Sequence, residues 1–217
     1  QVVETSAGRH TLPVSPLPEL ERAAADVGVV ALAPDRDAVI RVATPGQDGQ
    51  LTLAAAVAQR AGWQGGVGTA PVLINHLGPS PAIRTVSYWQ ALAPAPDGLP
   101  DATFANKLVF VGRAVGSSPE ADRAGVDSHL TPYFWSGGRL VPGVEIHATI
   151  VDTLLRDRAI ETVSVPAGVA WTLALTLATA MLVGWLGPWT GLAAAFGLVA
   201  VEGSVAIAAF ASRGFWV

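Results

Sequence analysis

Two long apolar runs fill the last quarter of the chain. Residues 164–187 and 191–212 are almost continuously apolar, and each is close to the about 20 residues that cross a bilayer as a helix. The short stretch between them, Gly-Pro-Trp-Thr with little flanking sequence, permits only an antiparallel hairpin. The pattern therefore predicts two transmembrane helices whose outer ends return to one face of the membrane.

The pattern before residue 163 is periodic instead of uniform. Residues 51–61 are rich in alanine and end at Gly62, which predicts a helix. Residues 143–158 place Ile146, Ile150 and Leu154 on one stripe at helical spacing, which predicts an amphipathic helix. Ser87 stands where it would cap one or two helical turns up to residue 92. These residues belong to a domain outside the hydrocarbon.

Short apolar segments between these helices predict strands. They cover residues 27–33, 39–43, 72–75 and 107–112. The first two form a predicted hairpin around Asp35 and Asp37, and the continuously apolar 107–112 is typical of a central strand covered on both faces. Residues 113–141 are predicted as a long loop. The mixed order predicts an α/β domain with a central, mostly parallel sheet, followed by an α-helical transmembrane hairpin.

Composition separates the same two regions. The chain of 217 residues is 51% hydrophobic with a mean hydropathy of +0.44, yet all charged residues except Glu202 and Arg213 lie before residue 163. A net charge of −4 gives no electrostatic case for nucleic-acid binding, and the absence of cysteine excludes disulfides and thiolate metal sites. Because the chain starts at Gln1 without Met and ends next to an apolar run, we expect it to be part of a longer protein.

Candidate ligand-binding residues cluster near the predicted helix 143–158. Asp127 and Thr131 lie in the loop that follows the strand 107–112, where they either close the loop through backbone hydrogen bonds or contact a ligand. Glu145 and His147 lie in the helix. Residues two apart on a helix point about 200° apart, so they do not share a metal. We predict no metal site and no cofactor.

Two enzyme interpretations are weaker. Ser117, His129 and Asp127 are the residue types of a hydrolytic triad, but no nucleophile elbow accompanies them. Residues 112–118 contain two glycines and two serines but lack the lysine of a phosphate loop.

Glu202 is the one acidic residue inside an apolar run. It either bonds to another helix in its protonated form or takes part in transmitting a signal.

Several motifs occur together between residues 27 and 155. They are Lys107-Leu-Val-Phe-Val-Gly, Asp127-x-x-x-Thr131-Pro, Pro142-Gly-Val-Glu-Ile-His-Ala and Leu154-Leu, preceded by Val27-Gly with Asp35-x-Asp37 and Val39-Ile-Arg, Ile74-Asn-His-Leu-Gly-Pro, and Thr85-Val-Ser. In combination they resemble the C-terminal part of the CHASE2 sensor domain, with His76 where that family usually has an aromatic residue. The resemblance covers most of residues 20–163 and assigns 1–163 to a sensor domain whose N-terminal part is missing.

The resemblance implies a bacterial receptor. Such domains are extracytoplasmic, precede membrane helices, usually three, and relay a signal to a cytoplasmic output module such as a class III adenylate or guanylate cyclase or a histidine kinase. It thus implies a multi-pass protein of the inner membrane, an unknown small-molecule or protein ligand, a homodimer by analogy, and no enzyme activity in this chain. Whether the full-length protein is an enzyme stays open, and a membrane-anchored scaffold without output is the alternative.

Charge near the membrane favours the opposite orientation. The turn between the apolar runs has no Arg or Lys, whereas Arg156, Arg158 and Arg213 lie at the other end. Counted alone, these charges place the sensor domain in the cytoplasm. The first membrane helix usually dominates orientation, so we give this count less weight than the resemblance.

Overall fold

The chain alternates short strands and helices and ends in a long helical hairpin. The structure, a computed structural model, describes residues 2–5, 8–11, 15–94, 97–113, 127–137, 139–213 and 215–216. The strands are β1 (Val2–Thr5), β2 (Gly8–Thr11), β3 (Val42–Ala43), β4 (Gly46–Gln47), β5 (Gln50–Leu51), β6 (Val72–Leu73), β7 (Ser128–His129), β8 (Val141–Pro142), β9 (Glu161–Thr162) and β10 (Phe215–Trp216). The helices are α1 (Pro18–Ala23), α2 (Leu53–Arg60), α3 (Tyr88–Leu92), α4 (Phe134–Gly137), α5 (Gly143–Leu155), α6 (Val165–Leu186) and α7 (Pro188–Arg213), with a 3₁₀ turn at Asp101–Thr103.

Helices α2 and α5 pack together over the core of the domain. Helix α2 buries four alanines, whose small side chains permit close packing, and α5 buries Ile146, Ile150 and Leu154 along one stripe. Ile40 and Ile74, from the segments around β3 and β6, complete this cluster. Both helices were predicted from the apolar pattern, and that prediction is confirmed. Helix α3 also forms as predicted, with Ser87 at its N-cap.

The predicted central, mostly parallel sheet is wrong. Within the described residues the domain contains small two-stranded pairs, and β3–β6, β4–β5 and β7–β8 are all antiparallel. Val39 and Leu130 form only an isolated parallel bridge. Prolines limit the pairing, because Pro71 directly precedes β6 and Pro142 occupies β8, and neither has an N–H to extend a ladder.

The strand predicted at residues 107–112 does not form. Only Phe110 packs against the core, while Leu108, Val109 and Val111 are each more than half exposed. A central strand must be covered on both faces, and an apolar run by itself does not show that a second layer exists. The predicted strand 27–33 is likewise reduced to a bridge between Val29 and Thr52. The predicted loop 113–141 contains β7 and α4, and its residues 114–126 lie outside the described part.

Helices α6 and α7 form an antiparallel hairpin. They lie where the sequence predicts apolar runs, and both are long and apolar enough to cross a membrane. The turn uses Gly187 at φ +79°, a left-handed conformation that favours glycine. A Cβ on Gly191 would come within 2.6 Å of the Cα of Val183, so the two helices approach closely there. Strand β10 then pairs with β9, which returns the chain to the start of α6.

Candidate functional site

The start of α5 brings Asp127 close to the helix that carries Glu145 and His147. The β7–β8 pair brings Asp127 against the first residue of the helix, and the Gly143 N–H donates to the Asp127 carbonyl oxygen at 3.1 Å. A Cβ on Gly143 would collide with both carboxylate oxygens of Asp127. This carboxylate therefore lies at the positive end of the α5 dipole, which stabilises negative charge.

Asp127 also pairs with a histidine. The Nε2 atom of His129 lies 2.7 Å from Asp127 Oδ1, and the Asp127 side chain is 52% exposed. The pair supplies two members of the triad considered from the sequence. The third, Ser117, lies outside the described residues, as do Gly116 and Ser118 of the phosphate-loop interpretation.

Glu145 binds a segment that is distant in the sequence. Its Oε2 accepts a hydrogen bond from the Ser80 hydroxyl at 2.6 Å, and its Oε1 accepts one from the Ala82 N–H at 2.7 Å. Glu145 is 9% exposed, so both bonds are shielded from water. The carboxylate thus ties the segment 80–82 to the first turn of α5. No signal in the sequence identifies this contact between residues so far apart in the chain.

His147 is buried one turn into the helix. It is 4% exposed, and its Nδ1 has no hydrogen-bond partner among the described residues. Burial lowers the pKa of His147, the Asp127 carboxylate partly opposes this, and His129 lowers it further. The sequence predicted a half-buried histidine beside the apolar stripe, and the structure buries the ring more completely.

Thr131 is almost fully buried, at 1% exposed. Its carbonyl oxygen accepts from the Phe134 N–H at 3.0 Å, which closes the turn that leads into α4. Its Oγ1 has no partner within the described part of the chain. Thr131 therefore contributes to the turn after β7 through its main chain, and its side chain does not make the backbone hydrogen bond on which the loop-closing alternative relied.

A surface ion-pair cluster was not recognised as a contact from the sequence. Arg41 Nη1 lies 2.8 Å from Asp35 Oδ2, and Arg41 bonds both oxygens of Asp37, at 2.9 and 2.7 Å. These hydrogen bonds lower the pKa of Asp37 to about 2. The sequence placed a turn here, and the cluster closes it.

Across the described ranges, no three His, Asp or Glu side chains are grouped to hold a metal ion.

Helix α5 connects to the membrane hairpin through residues 156–164. The Ile160 N–H donates to the Leu73 carbonyl oxygen at 3.2 Å, so this link is attached to β6 in the core. Strand β9 follows, and α6 begins at Val165. A short segment, anchored by one main-chain hydrogen bond to β6, therefore joins α5 to the first apolar helix.

Glu202 makes a contact between the two apolar helices. The indole N–H of Trp171 in α6 donates to Glu202 Oε1 in α7 at 2.9 Å. A polar side chain inside a membrane helix needs such a partner, because hydrocarbon offers none. The hydrogen bond thus fixes the register of the hairpin at that level.

Comparison with known protein families identifies the domain. The family model of the CHASE2 domain matches residues 1–187, which includes α6. Comparison with curated proteins and with solved structures finds no match. The CHASE2 domain is an extracytoplasmic sensor domain, not a catalytic one. With two apolar helices that fit a membrane-anchored receptor, the chain belongs to the CHASE2 family.

Proposed function

We propose that this chain is the ligand-sensing part of a bacterial multi-pass receptor of the inner membrane. The sensor domain, residues 1–163, binds an unidentified small molecule or protein outside the membrane. The membrane helices relay the change to a cytoplasmic output module, which is a class III adenylate or guanylate cyclase or a histidine kinase. The receptor acts as a homodimer, by analogy with other receptors of this architecture.

The observation that carries this proposal is the connection between α5 and α6. Asp127 is half-exposed at the start of α5, so a ligand reaches it from solvent. Glu145 and His147 lie in the first part of α5, and Thr131 lies in the segment after β7. A ligand that binds two arrangements of this region unequally shifts their populations. Residues 156–164 carry the resulting displacement into α6.

The test uses the full-length gene product, beginning with its reading frame beyond Val217. We expect a further apolar run followed by a cyclase or kinase module. Two glycines are then inserted between Asp157 and Arg158, in the link. The matched control carries the same insertion between Asp48 and Gly49, an exposed turn where Asp48, like Asp157, has a positive φ.

The link insertion is expected to change the basal output activity severalfold, whereas the turn insertion leaves it near wild type. Equal activity of both variants contradicts a relay through the link. A stop codon directly after Val217 contradicts a fused output module and leaves a membrane-anchored binding or scaffold domain.

A further inference from the structure

His147 is a buried ionisable group whose surroundings do not satisfy it. His147 is one of the buried residues of α5, together with Ile146, Ile150 and Val151, and is 4% exposed. A neutral imidazole has one donor and one acceptor nitrogen, and buried polar atoms nearly always have a partner. Nδ1 of His147 has none among the described residues. A buried polar atom without a partner suggests that it binds a ligand or takes up a proton in another state of the protein.

A small cavity lies beside the ring. It encloses about 40 Å³ between α2, α5 and the segment around β3, and His147 is part of its wall. Thr44, Gln47 and Thr52 add polar groups to a lining that is otherwise apolar. One water needs only about 10–15 Å³ of such space and two to four polar partners. The cavity is therefore large enough for water, and water is the carrier that brings a proton to a buried ring.

The charged groups near His147 come from two elements. Asp127 and His129 face it from the β7 side, and they bond to each other at 2.7 Å. Glu145, on the same helix, is engaged by Ser80 and Ala82. The remaining residues that line the cavity, from α2 and the β3 segment, carry no titratable side chain. No carboxylate is hydrogen-bonded to the His147 ring in the described part of the domain, so a proton placed there has no direct counter-ion.

We propose that His147 is a proton-sensing site and that acidification outside the membrane is a stimulus of this domain. The inference rests on the proposed function and names its stimulus. At neutral pH the ring is uncharged and stays buried, and α5 remains packed on the core. Protonation places an uncompensated charge on a buried ring, which favours an opened arrangement in which water reaches the ring. Helix α5 is then displaced, and the link 156–164 passes the displacement to α6.

The expected pH range follows from the direction of the pKa shift. Burial lowers the pKa of His147 in the closed domain, whereas the opened domain has the ordinary value of about 6.5. Above that value the ring is neutral in both forms, and closure is fully favoured. As the pH falls below it, the opened form gains a proton that the closed form lacks. The ratio of opened to closed domain then rises up to about tenfold per pH unit, until the pH reaches the lowered pKa.

The experiment is amide hydrogen exchange of residues 143–155 in the whole chain, reconstituted in lipid nanodiscs at pH 8 to 5. Rates are corrected for the intrinsic pH dependence of exchange. The wild type is expected to lose protection in α5 by up to about tenfold per pH unit below about 6.5. His147→Gln keeps a neutral polar side chain and is expected to abolish that dependence.

The matched control is His76→Gln, which removes a histidine of intermediate exposure. His76 is held by the Ile40 carbonyl oxygen at 3.0 Å, and burial lowers its pKa although that hydrogen bond opposes the effect. It lies outside α5, so its loss is expected to leave the α5 response in place. If both variants reduce the response equally, acid acts by unfolding the whole domain, and the proposal is overturned.

Two further measurements test the proposal in the wild-type protein. If His147→Gln does not fold, carbon-13 NMR of histidine in the wild type replaces it, and a His147 pKa at or above about 6.5 overturns the proposal. Unchanged protection of α5 at pH 5 in the wild type does the same. If that protection is unchanged while the link insertion still alters output, the proposed relay through residues 156–164 is supported, and only the proposal that protons are its stimulus is contradicted.

Discussion

Two glutamates lie in apolar surroundings in this molecule, and they are satisfied in different ways. Glu145, in the domain core, has a hydrogen-bond donor on each carboxylate oxygen, from Ser80 and Ala82. Glu202, in the hairpin, is bonded through one oxygen by the indole of Trp171. The core supplies main-chain and hydroxyl donors from a neighbouring loop, whereas a membrane helix uses its own backbone N–H groups internally and leaves only side chains as partners.

The difference shows what each contact controls. The bonds of Glu145 attach a loop to α5, so they determine where that helix sits on the core. The bond of Glu202 joins two helices that are otherwise held by packing of apolar surfaces, since lipid tails compete equally well for leucine. We therefore expect loss of the first contact to affect the folding of the domain, and loss of the second to affect only the association of α6 with α7.

The largest effect is expected from Glu145→Ala. The free energy of unfolding of the domain should fall by about 3 kcal/mol or more, because each of two hydrogen bonds to a charged group contributes roughly 1.5–3 kcal/mol. The measurement is urea denaturation of the whole chain in detergent micelles. Glu145→Gln keeps an acceptor for the Ala82 N–H and should lose about half as much.

Glu161→Ala is the matched control, since Glu161 is an exposed residue of β9. A change within about 0.5 kcal/mol is expected there. If Glu145→Ala is as stable as this control, the two contacts do not hold α5, and the contrast with Glu202 disappears.

The sequence predicted the helices better than the contacts between them. The stripe of Ile146, Ile150 and Leu154 was sufficient to predict α5, because helical periodicity is a local property. The prediction of a strand at residues 107–112 was wrong because a central strand needs a layer packed on each face. The sequence of the strand itself does not show whether those layers exist. For the same reason Glu145 was predicted as a candidate ligand-binding residue and Glu202 was recognised as an acid inside an apolar run, while the partners of both were not identified.

The intermediate effect is expected from Trp171→Phe, which keeps an aromatic ring but removes the N–H. Association of α6 and α7 should weaken by about 0.6–2 kcal/mol, the range measured for hydrogen bonds between membrane helices. A double-mutant cycle with Glu202→Leu, followed by reversible unfolding in mixed micelles, isolates the pair. Additive effects of the two substitutions would rule out a coupling between them. Trp185→Phe, an exposed residue near the turn, serves as the control and should show no coupling.

The smallest effect on stability is expected at the Arg41 cluster, where the charges are solvated. Arg41→Gln should raise the pKa of Asp37 from about 2 towards its ordinary value of about 3.9. Because the folded pKa is lowered, the ion pair stabilises the wild type above about pH 3.9, and this contribution disappears as the pH falls through about 2.

Carboxyl NMR titration of Asp37 measures the shift, with Arg36→Gln as the control from the same turn. An unchanged Asp37 titration in Arg41→Gln would contradict the pairing. Since exposed ion pairs contribute little to stability, a shifted pKa with unchanged unfolding would show that this cluster sets the shape of the turn, in contrast to the shielded bonds of Glu145, which hold a helix in place.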